Sequence, residues 1–340
     1  MRWRRPGFGP AAPGAQGDPL NHTSLETDSL AARVKDGDKR ALARLISWVE
    51  NGDPRLRSVL RELPPPATGA RVIGLTGAPG AGKSTVTSAL VRALRTPSGN
   101  TVGRRTAVLA VDPSSPFTGG ALLGDRIRMQ EHATDDGVFI RSMGSRGQLG
   151  GLAAATPQAI RVLAAAGYEV ILVETVGVGQ AEVEIASAAD TTVVIVVPGM
   201  GDSIQAAKAG VLEVADLLVV NKADRPDTQA AVRDLRTMVT LASGEWKPPI
   251  VTTVATTGEG IDELLRQLDR HEAWLEASGE RARRRLARAR DEVTALAFGA
   301  LARRLAVPDE LAARVAAGEC DPPAAAAELL ASAGLDIDQP

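Results

Sequence analysis

The stretch GLTGAPGAGKST, Gly74 to Thr85, decides the fold of this chain. It overlaps the end of an apolar run, RVIGLT, that predicts a buried strand, and it leads into VTSALVRALR, whose apolar spacing predicts a helix. A glycine-rich turn between a strand and a helix directs backbone N–H groups and the positive end of the helix dipole at one point. The spacing Gly77-x4-Gly82-Lys83-Ser84 is that of a phosphate-binding loop, so we predict that the chain binds a nucleoside triphosphate.

The residue types in this loop have separate chemical roles. Glycines let the backbone approach an anion closely, Lys83 brings a cation to the outer phosphates, and Ser84 offers a hydroxyl to a magnesium ion. The alternative is a chance glycine-rich turn, and the strand and helix on either side argue against it. The nucleotide contacts that we predict here are Gly77, Ala78, Pro79, Gly80, Ala81, Gly82, Lys83, Ser84 and Thr85.

A second motif, in ADLLVVNKAD at residues 215–224, indicates which base is bound. An apolar strand delivers Asn221, Lys222 and Asp224 at its carboxyl end, where ligands bind in open α/β sheets. A carboxylate at Asp224 accepts hydrogen bonds from the N1–H and the exocyclic amino group of guanine, and adenine has neither donor arrangement. Lys222 can lay its stem over the base. The alternative is a polar turn with a capping aspartate.

A third, weaker pattern, VATTGEG, resembles the last guanine-contacting loop of GTPases. In such a loop Ala255 offers its backbone N–H to the base carbonyl, and Val254 and Thr256 flank it. Together with the two motifs above, this pattern predicts binding of GTP and GDP.

Acidic residues at strand ends are candidates for magnesium coordination. Asp112 ends TAVLAVD, and Glu174 ends YEVILVE and precedes Gly177, whose N–H can contact the γ-phosphate. Asp125, in GGALLGDRIRM, is a further candidate, with a helix N-cap as an equally supported alternative. Val178 stands where many GTPases place a glutamine that orients water, so we expect slow intrinsic hydrolysis and a partner that completes the site.

Apolar strands alternate with helical stretches between residues 70 and 256, which predicts an α/β P-loop fold with a mostly parallel central sheet flanked by helices. The candidate strands are 71–76, 106–111, 137–142, 168–173, 191–197, 215–220 and 248–254. We divide the chain into a disordered tail (1–28), an N-terminal helical segment (29–66) with helices at 29–52 and 53–63, a P-loop GTPase domain (67–259) and a C-terminal helical arm (260–340).

Composition excludes several classes of function. The 340 residues carry a net charge of −2, which gives no sign of binding to nucleic acid or an anionic membrane. The single cysteine, Cys320, cannot form a disulfide within the chain, and no apolar run reaches the length of about 18 residues that a membrane span needs. We therefore expect a cytoplasmic protein. The basic run 281–290, with six arginines, is expected to be a solvated helix face or a dimer contact rather than an RNA site.

Taken together, the motifs resemble the MeaB/ArgK family of GTPases, which belong to the SIMIBI class and are chaperones of adenosylcobalamin-dependent methylmalonyl-CoA mutase. The resemblance covers about residues 29–335 and is carried in order by TGAPGAGKST, AVDPSSPFTGGALLGDRIRM, ILVETVGVGQAE, VPGMGDSIQAAKAG and NKAD. It is weaker in the final DPPAAAAELL, where Pro323 replaces the usual aromatic residue.

The resemblance implies further roles. Asp112 and Asp125 lie in what resembles switch I, Glu174 in switch II, and Lys208 in a third switch whose sequence also fits a capped helix start. The catalytic residues so implied are Lys83, Asp125, Glu174 and Lys208, and the metal ligands are Ser84, Asp112, Asp125 and Glu174. The implied partners are the mutase or a related acyl-CoA mutase and a second copy of the chain, with a cobalamin adenosyltransferase left open.

Two other functions stay open on the sequence. A metallochaperone GTPase is one, although His22, His132 and His271 are scattered without metal-ligand spacing. An ArgK-like nucleotidase or kinase associated with transport is the other, and the guanine motif disfavours its use of ATP.

Overall fold

Seven parallel strands form one sheet in the part of the chain that the computed structural model describes. The described residues are 30–65, 69–97, 103–112, 129–132, 134–144, 151–175, 188–199, 214–241 and 244–335. The strands are β1 (Arg71–Thr76), β2 (Thr106–Asp112), β3 (Val138–Gly144), β4 (Val170–Thr175), β5 (Thr191–Val196), β6 (Leu217–Asn221) and β7 (Ile250–Thr253). All seven predicted strands are present, and no end is shifted by more than two residues.

The sheet order is β3-β2-β4-β1-β5-β6-β7, and every neighbouring pair is parallel. Strand β1 therefore lies at the centre, with β4 on one side and β5 on the other. Strands β1, β4, β5 and β6 are buried along their whole length, which explains their nearly continuous apolar sequences. Because all carboxyl ends meet at one edge, the last residues of β4 lie at the same edge as the loops that follow β1 and β6.

Helices cover both faces of the sheet, as predicted. Helices α1, α4 and α5 pack on one face, and α3 and α6 pack on the opposite face. The described helices are α1 (Lys39–Asn51), α2 (Leu56–Glu62), α3 (Lys83–Arg95), α4 (Gly151–Ala165), α5 (Thr228–Leu241), α6 (Ile261–Ala277), α7 (Glu280–Arg304), α8 (Asp309–Ala316) and α9 (Pro322–Ser332). Among these helices, none is both long enough and apolar enough to cross a bilayer.

The N-terminal segment differs from the prediction at one point. We predicted a single helix over 29–52, and the structure instead has a helical stretch at 30–35 that ends before α1 begins. Gly37 takes a left-handed conformation, with a φ of 83°, and Asp38 caps α1 by accepting the N–H groups of Arg40 and Ala41. Adjacent stop and start signals in Asp-Gly-Asp therefore divide the helix.

Helix α7 is attached to the sheet by buried ion pairs. Arg284 donates to the carboxylate of Asp216, just before β6, and Arg288 pairs with Asp190, just before β5. Both aspartates are buried. The prediction that this arginine run is a solvated face or a dimer contact is thus wrong for Arg284 and Arg288, because the amino ends of two strands present carboxylates to them.

Candidate nucleotide-binding site

The turn between β1 and α3 has the backbone of a phosphate-binding loop. Gly77, Gly80 and Gly82 all have positive φ, at 142°, 75° and 90°. A Cβ at Gly77 would collide with the carbonyl oxygen of Ile195, and a Cβ at Gly82 would collide with the side-chain amide of Asn221. Glycine is required at these two positions because strands β5 and β6 press their ends against the loop.

Lys83 opens α3 and folds back over this loop. Its Nζ donates to the carbonyl oxygens of Gly77, at 2.7 Å, and Ala78, at 3.2 Å, and the side chain is buried. The ammonium group thus lies at the helix N-terminus, where the dipole already favours anions. This position fits the predicted contact of Lys83 with phosphate oxygens.

Ser84 and Glu174 are brought together from distant parts of the sequence. The Ser84 hydroxyl donates to Oε1 of Glu174 at 2.5 Å, and Glu174 is only 1% exposed. Glu174 lies near the end of β4, in register with Leu75 of β1 and Ala110 of β2. A buried carboxylate beside a hydroxyl supplies the hard oxygen donors that Mg²⁺ prefers, so these two residues fit a magnesium site.

The structure describes the other predicted metal-binding and phosphate-binding residues only in part. Asp112 is the last residue of β2, in register with Gly144 of β3, and its side chain is not described. Asp125, Gly177 and Lys208 lie outside the described residues. Their assigned roles stay predictions.

Asn221 connects the three loops at this edge of the sheet. It is 2% exposed, and its Nδ2 donates to the carbonyl oxygen of Ala81 at 2.9 Å. Its Oδ1 accepts hydrogen bonds from the hydroxyl of Thr253 at 3.1 Å and from the N–H of Ala255 at 3.2 Å. Asn221 thus links the phosphate loop to the two base-site loops, a role that its position in the sequence did not indicate. The predicted donation from Ala255 N–H to the base stays a prediction.

Lys222 and Asp224 follow in the turn after β6. Lys222 is the one non-glycine residue with positive φ, at 59°, among those described, and its Nζ donates to the Gly80 carbonyl at 2.9 Å. The lysine stem therefore lies along the phosphate loop, while Asp224 is exposed. In the neighbouring turn, Val254 N–H donates to Glu259 and Thr256 is exposed.

One cluster was missed by the sequence analysis. The Ser88 hydroxyl on α3 contacts the Glu131 carboxylate and lies 3.0 Å from Nε2 of His132. The Ser88 hydroxyl and then the Arg92 guanidinium hold the pKa of Glu131 below its ordinary value. His132, which has no metal-ligand spacing in the sequence, is buried and links the helical turn Gln130–His132 to α3.

The comparisons with known proteins give the family. A family described as "Methylmalonyl Co-A mutase-associated GTPase MeaB" matches residues 42–309 of this chain. The chain belongs to the MeaB family. The predicted family, fold class and GTPase activity are therefore confirmed, and GTP and GDP are the nucleotides that such a GTPase binds.

Relatives of this MeaB-family GTPase include archaeal and bacterial proteins. A putative GTPase of Pyrococcus abyssi is 47% identical over 314 residues, covering 89% of this chain and 95% of that protein. GTPase ArgK of Escherichia coli is 38% identical over 258 residues, covering 73% and 76%. A solved structure described as LAO/AO transport system kinase superposes with a TM-score of 0.66 at 26% identity, covering 91% and 97%.

We expect Lys83→Ala to weaken GTP binding by about 10- to 100-fold, because a charge-assisted hydrogen bond to phosphate contributes about 1.5–3 kcal/mol. Isothermal titration calorimetry measures this change. Lys35→Ala, which removes an exposed lysine from the N-terminal segment, is the control and should leave the affinity unchanged. Unchanged affinity in the Lys83 variant would contradict the phosphate role.

Proposed function

We propose that this MeaB-family GTPase uses GTP binding and hydrolysis to gate the loading of adenosylcobalamin onto methylmalonyl-CoA mutase or a related acyl-CoA mutase, and to protect the loaded enzyme. The observation that carries the proposal is the match over residues 42–309 to a family described as mutase-associated. A cobalamin adenosyltransferase is a further candidate partner.

The nucleotide site supports a magnesium-dependent switch. Ser84 and Glu174 would hold Mg²⁺, with Asp112 and Asp125 as further candidate ligands. Such an ion neutralises charge that develops on the transferring phosphoryl group. Lys83 adds a second positive charge at the loop, and Asp224 selects guanine from the exposed turn after β6.

The strand that leads into the third switch adjoins the phosphate loop. Residues 198–210 follow β5 in the sequence, and the Ile195 backbone in β5 packs directly against Gly77. Gly199 has a φ of 81°, a conformation that glycine adopts without strain. A change at the γ-phosphate can therefore reach this segment through contact with β5, and Lys208 is the cation that we propose acts as the relay.

We expect Lys208→Ala to keep GTP affinity while losing most of the acceleration of hydrolysis by the mutase, because the lysine acts in coupling rather than in binding. The measurement is single-turnover GTP hydrolysis with and without saturating methylmalonyl-CoA mutase. Lys247→Ala, at an exposed site before β7, is the control. Full stimulation of the Lys208 variant would contradict the relay. No stimulation of the wild-type protein would contradict the proposed function.

We also propose that the C-terminal arm mediates homodimerisation. Helix α7 carries the exposed apolar residues Leu286, Val293, Leu296 and Phe298. Leu286, Val293 and Leu296 recur at spacings of seven and three, so they lie on one side of the helix. An apolar stripe of this kind favours burial against a second copy of the chain.

A transport-associated kinase or nucleotidase is the competing function, because the solved relative at 26% identity is described as a transport system kinase. A competition assay separates the two. GTP should displace a labelled guanine nucleotide and ATP should not, and equal displacement by ATP would contradict the GTP-dependent proposal. A metallochaperone role is tested separately by titration with Ni²⁺.

A further inference from the structure

Thr87 contacts the proposed magnesium ligand Glu174 from within the phosphate-loop helix. It is fully buried on α3, three residues after Ser84. Its Oγ1 lies 3.1 Å from Oε2 of Glu174, while the other carboxylate oxygen, Oε1, accepts the Ser84 hydroxyl at 2.5 Å. The two hydroxyls thus hold the two oxygens of one carboxylate.

The Thr87 hydroxyl has two acceptors within reach and one hydrogen to donate. The Lys83 carbonyl oxygen lies at 2.9 Å, as in many helical threonines, and Oε2 of Glu174 lies at 3.1 Å. An ionised carboxylate is the stronger acceptor, and a buried carboxylate needs hydrogen-bond donors to offset its lost hydration. We propose that Thr87 is a positioning residue that donates to Glu174 and fixes the orientation of its carboxylate.

This orientation matters for metal binding. The terminal torsion of a glutamate is broad, so a carboxylate held through one oxygen can rotate. A donor on the second oxygen restricts that rotation and keeps Oε1 directed at Ser84. The inference rests on the magnesium site proposed above, in which Ser84 and Glu174 are ligands. Partners that orient a ligand in this way commonly change metal affinity when they are replaced.

The test compares Thr87→Val, which removes the hydroxyl at similar volume, with Thr87→Ser, which keeps it. The readout is the affinity of Mn²⁺ for the full chain loaded with GDP, followed by electron paramagnetic resonance, together with GDP affinity in EDTA. We expect Thr87→Val to weaken Mn²⁺ binding by about tenfold. The metal-free GDP affinity should be unchanged, and Thr87→Ser should bind Mn²⁺ as the wild-type protein does.

Two further variants keep the test decisive. Thr87→Ala removes the hydroxyl without a branched side chain, so it should show the same loss if Thr87→Val fails to fold. Thr240→Val removes a hydroxyl that donates to a carbonyl one turn back, that of Arg236 at 2.8 Å, and should leave Mn²⁺ affinity unchanged. Unchanged Mn²⁺ affinity in the folded Thr87 variants would overturn the proposal. If instead the proposed mutase function is wrong, the mutase will not stimulate GTP hydrolysis by the wild-type protein, but the difference in Mn²⁺ affinity between Thr87→Val and wild type will remain.

Discussion

Asp216→Ala is expected to lower the free energy of unfolding by about 3–5 kcal/mol, the loss typical when one partner of a buried ion pair is removed. The Asp216 carboxylate accepts two hydrogen bonds from Arg284, at 2.8 and 2.9 Å, and the N–H of Thr192 at 2.8 Å. It also lies 3.3 Å from Nε2 of the fully buried His271. One substitution therefore removes an acceptor from the Thr192 N–H and from Arg284, which keeps Glu280 as a partner, and it removes the carboxylate beside the buried His271. Urea denaturation measures the change.

Asp269→Ala is the matched control for this prediction. Asp269 also pairs with an arginine, Arg71, at 2.6 Å, but its side chain is 58% exposed. Arg71 keeps Glu272 as a second partner. Exposed pairs contribute up to about 1 kcal/mol, so the control should lose no more than that. Equal losses in the two variants would show that the Asp216 cluster gives no special stability.

The same cluster predicts how stability depends on pH. Burial by itself raises the pKa of Asp216, but the adjacent His271 and the hydrogen bonds from Arg284 outweigh burial and hold the pKa below its ordinary value. A carboxyl with a lowered pKa in the folded state stabilises the protein above the unfolded-state pKa of about 3.9. This contribution is lost as the pH falls through the folded-state pKa. The difference between wild type and Asp216→Ala should therefore narrow below about pH 4.

Asp224→Asn is expected to shift nucleotide preference from GTP towards XTP by about a hundredfold or more, since two hydrogen bonds to a charged group contribute about 1.5–3 kcal/mol each. Guanine loses its carboxylate acceptor, while the asparagine amide can donate to the oxygen that replaces the amino group in xanthine. Competition of GTP and XTP for a labelled guanine nucleotide measures the ratio of affinities.

Asp227→Asn serves as the control for base selection. Asp227 is exposed in the same loop and immediately precedes α5, a position where asparagine caps as well as aspartate. The control should prefer GTP as strongly as the wild-type protein does. If the Asp224 variant prefers GTP over XTP as strongly as the wild-type protein does, another residue recognises the base.

The features that were predictable from the sequence depend on local signals. The strand, glycine turn and helix at residues 71–95 could be predicted because turn chemistry and apolar period lie within one short stretch. The break in the N-terminal helix was missed although Gly37 and Asp38 are also local, since the apolar period continues across them. At these residues the capping signals, and not the apolar periodicity, determine where the helix ends.

The missed contacts join residues that are distant in the sequence. Thr87 reads as an ordinary helical residue, and its contact with Glu174 exists only because α3 packs against β4. Asn221 was assigned to the base from its motif, whereas its amide is bonded to Ala81, 140 residues away. Arg284 looked solvated because the buried Asp216 lies 68 residues earlier. Such roles follow from the sheet order rather than from spacing.

The bonds of Asn221 have a thermodynamic consequence for ligand recognition. Its two ends join the phosphate loop at Ala81 to the predicted base-site loop at Ala255, so the contacts that we propose for the two ends of the nucleotide are linked through one residue. Free energies of contacts that share such a network are not additive. With the base and phosphate contacts proposed above, we therefore expect the free energy of binding of GTP to differ from the sum for its base and phosphate fragments.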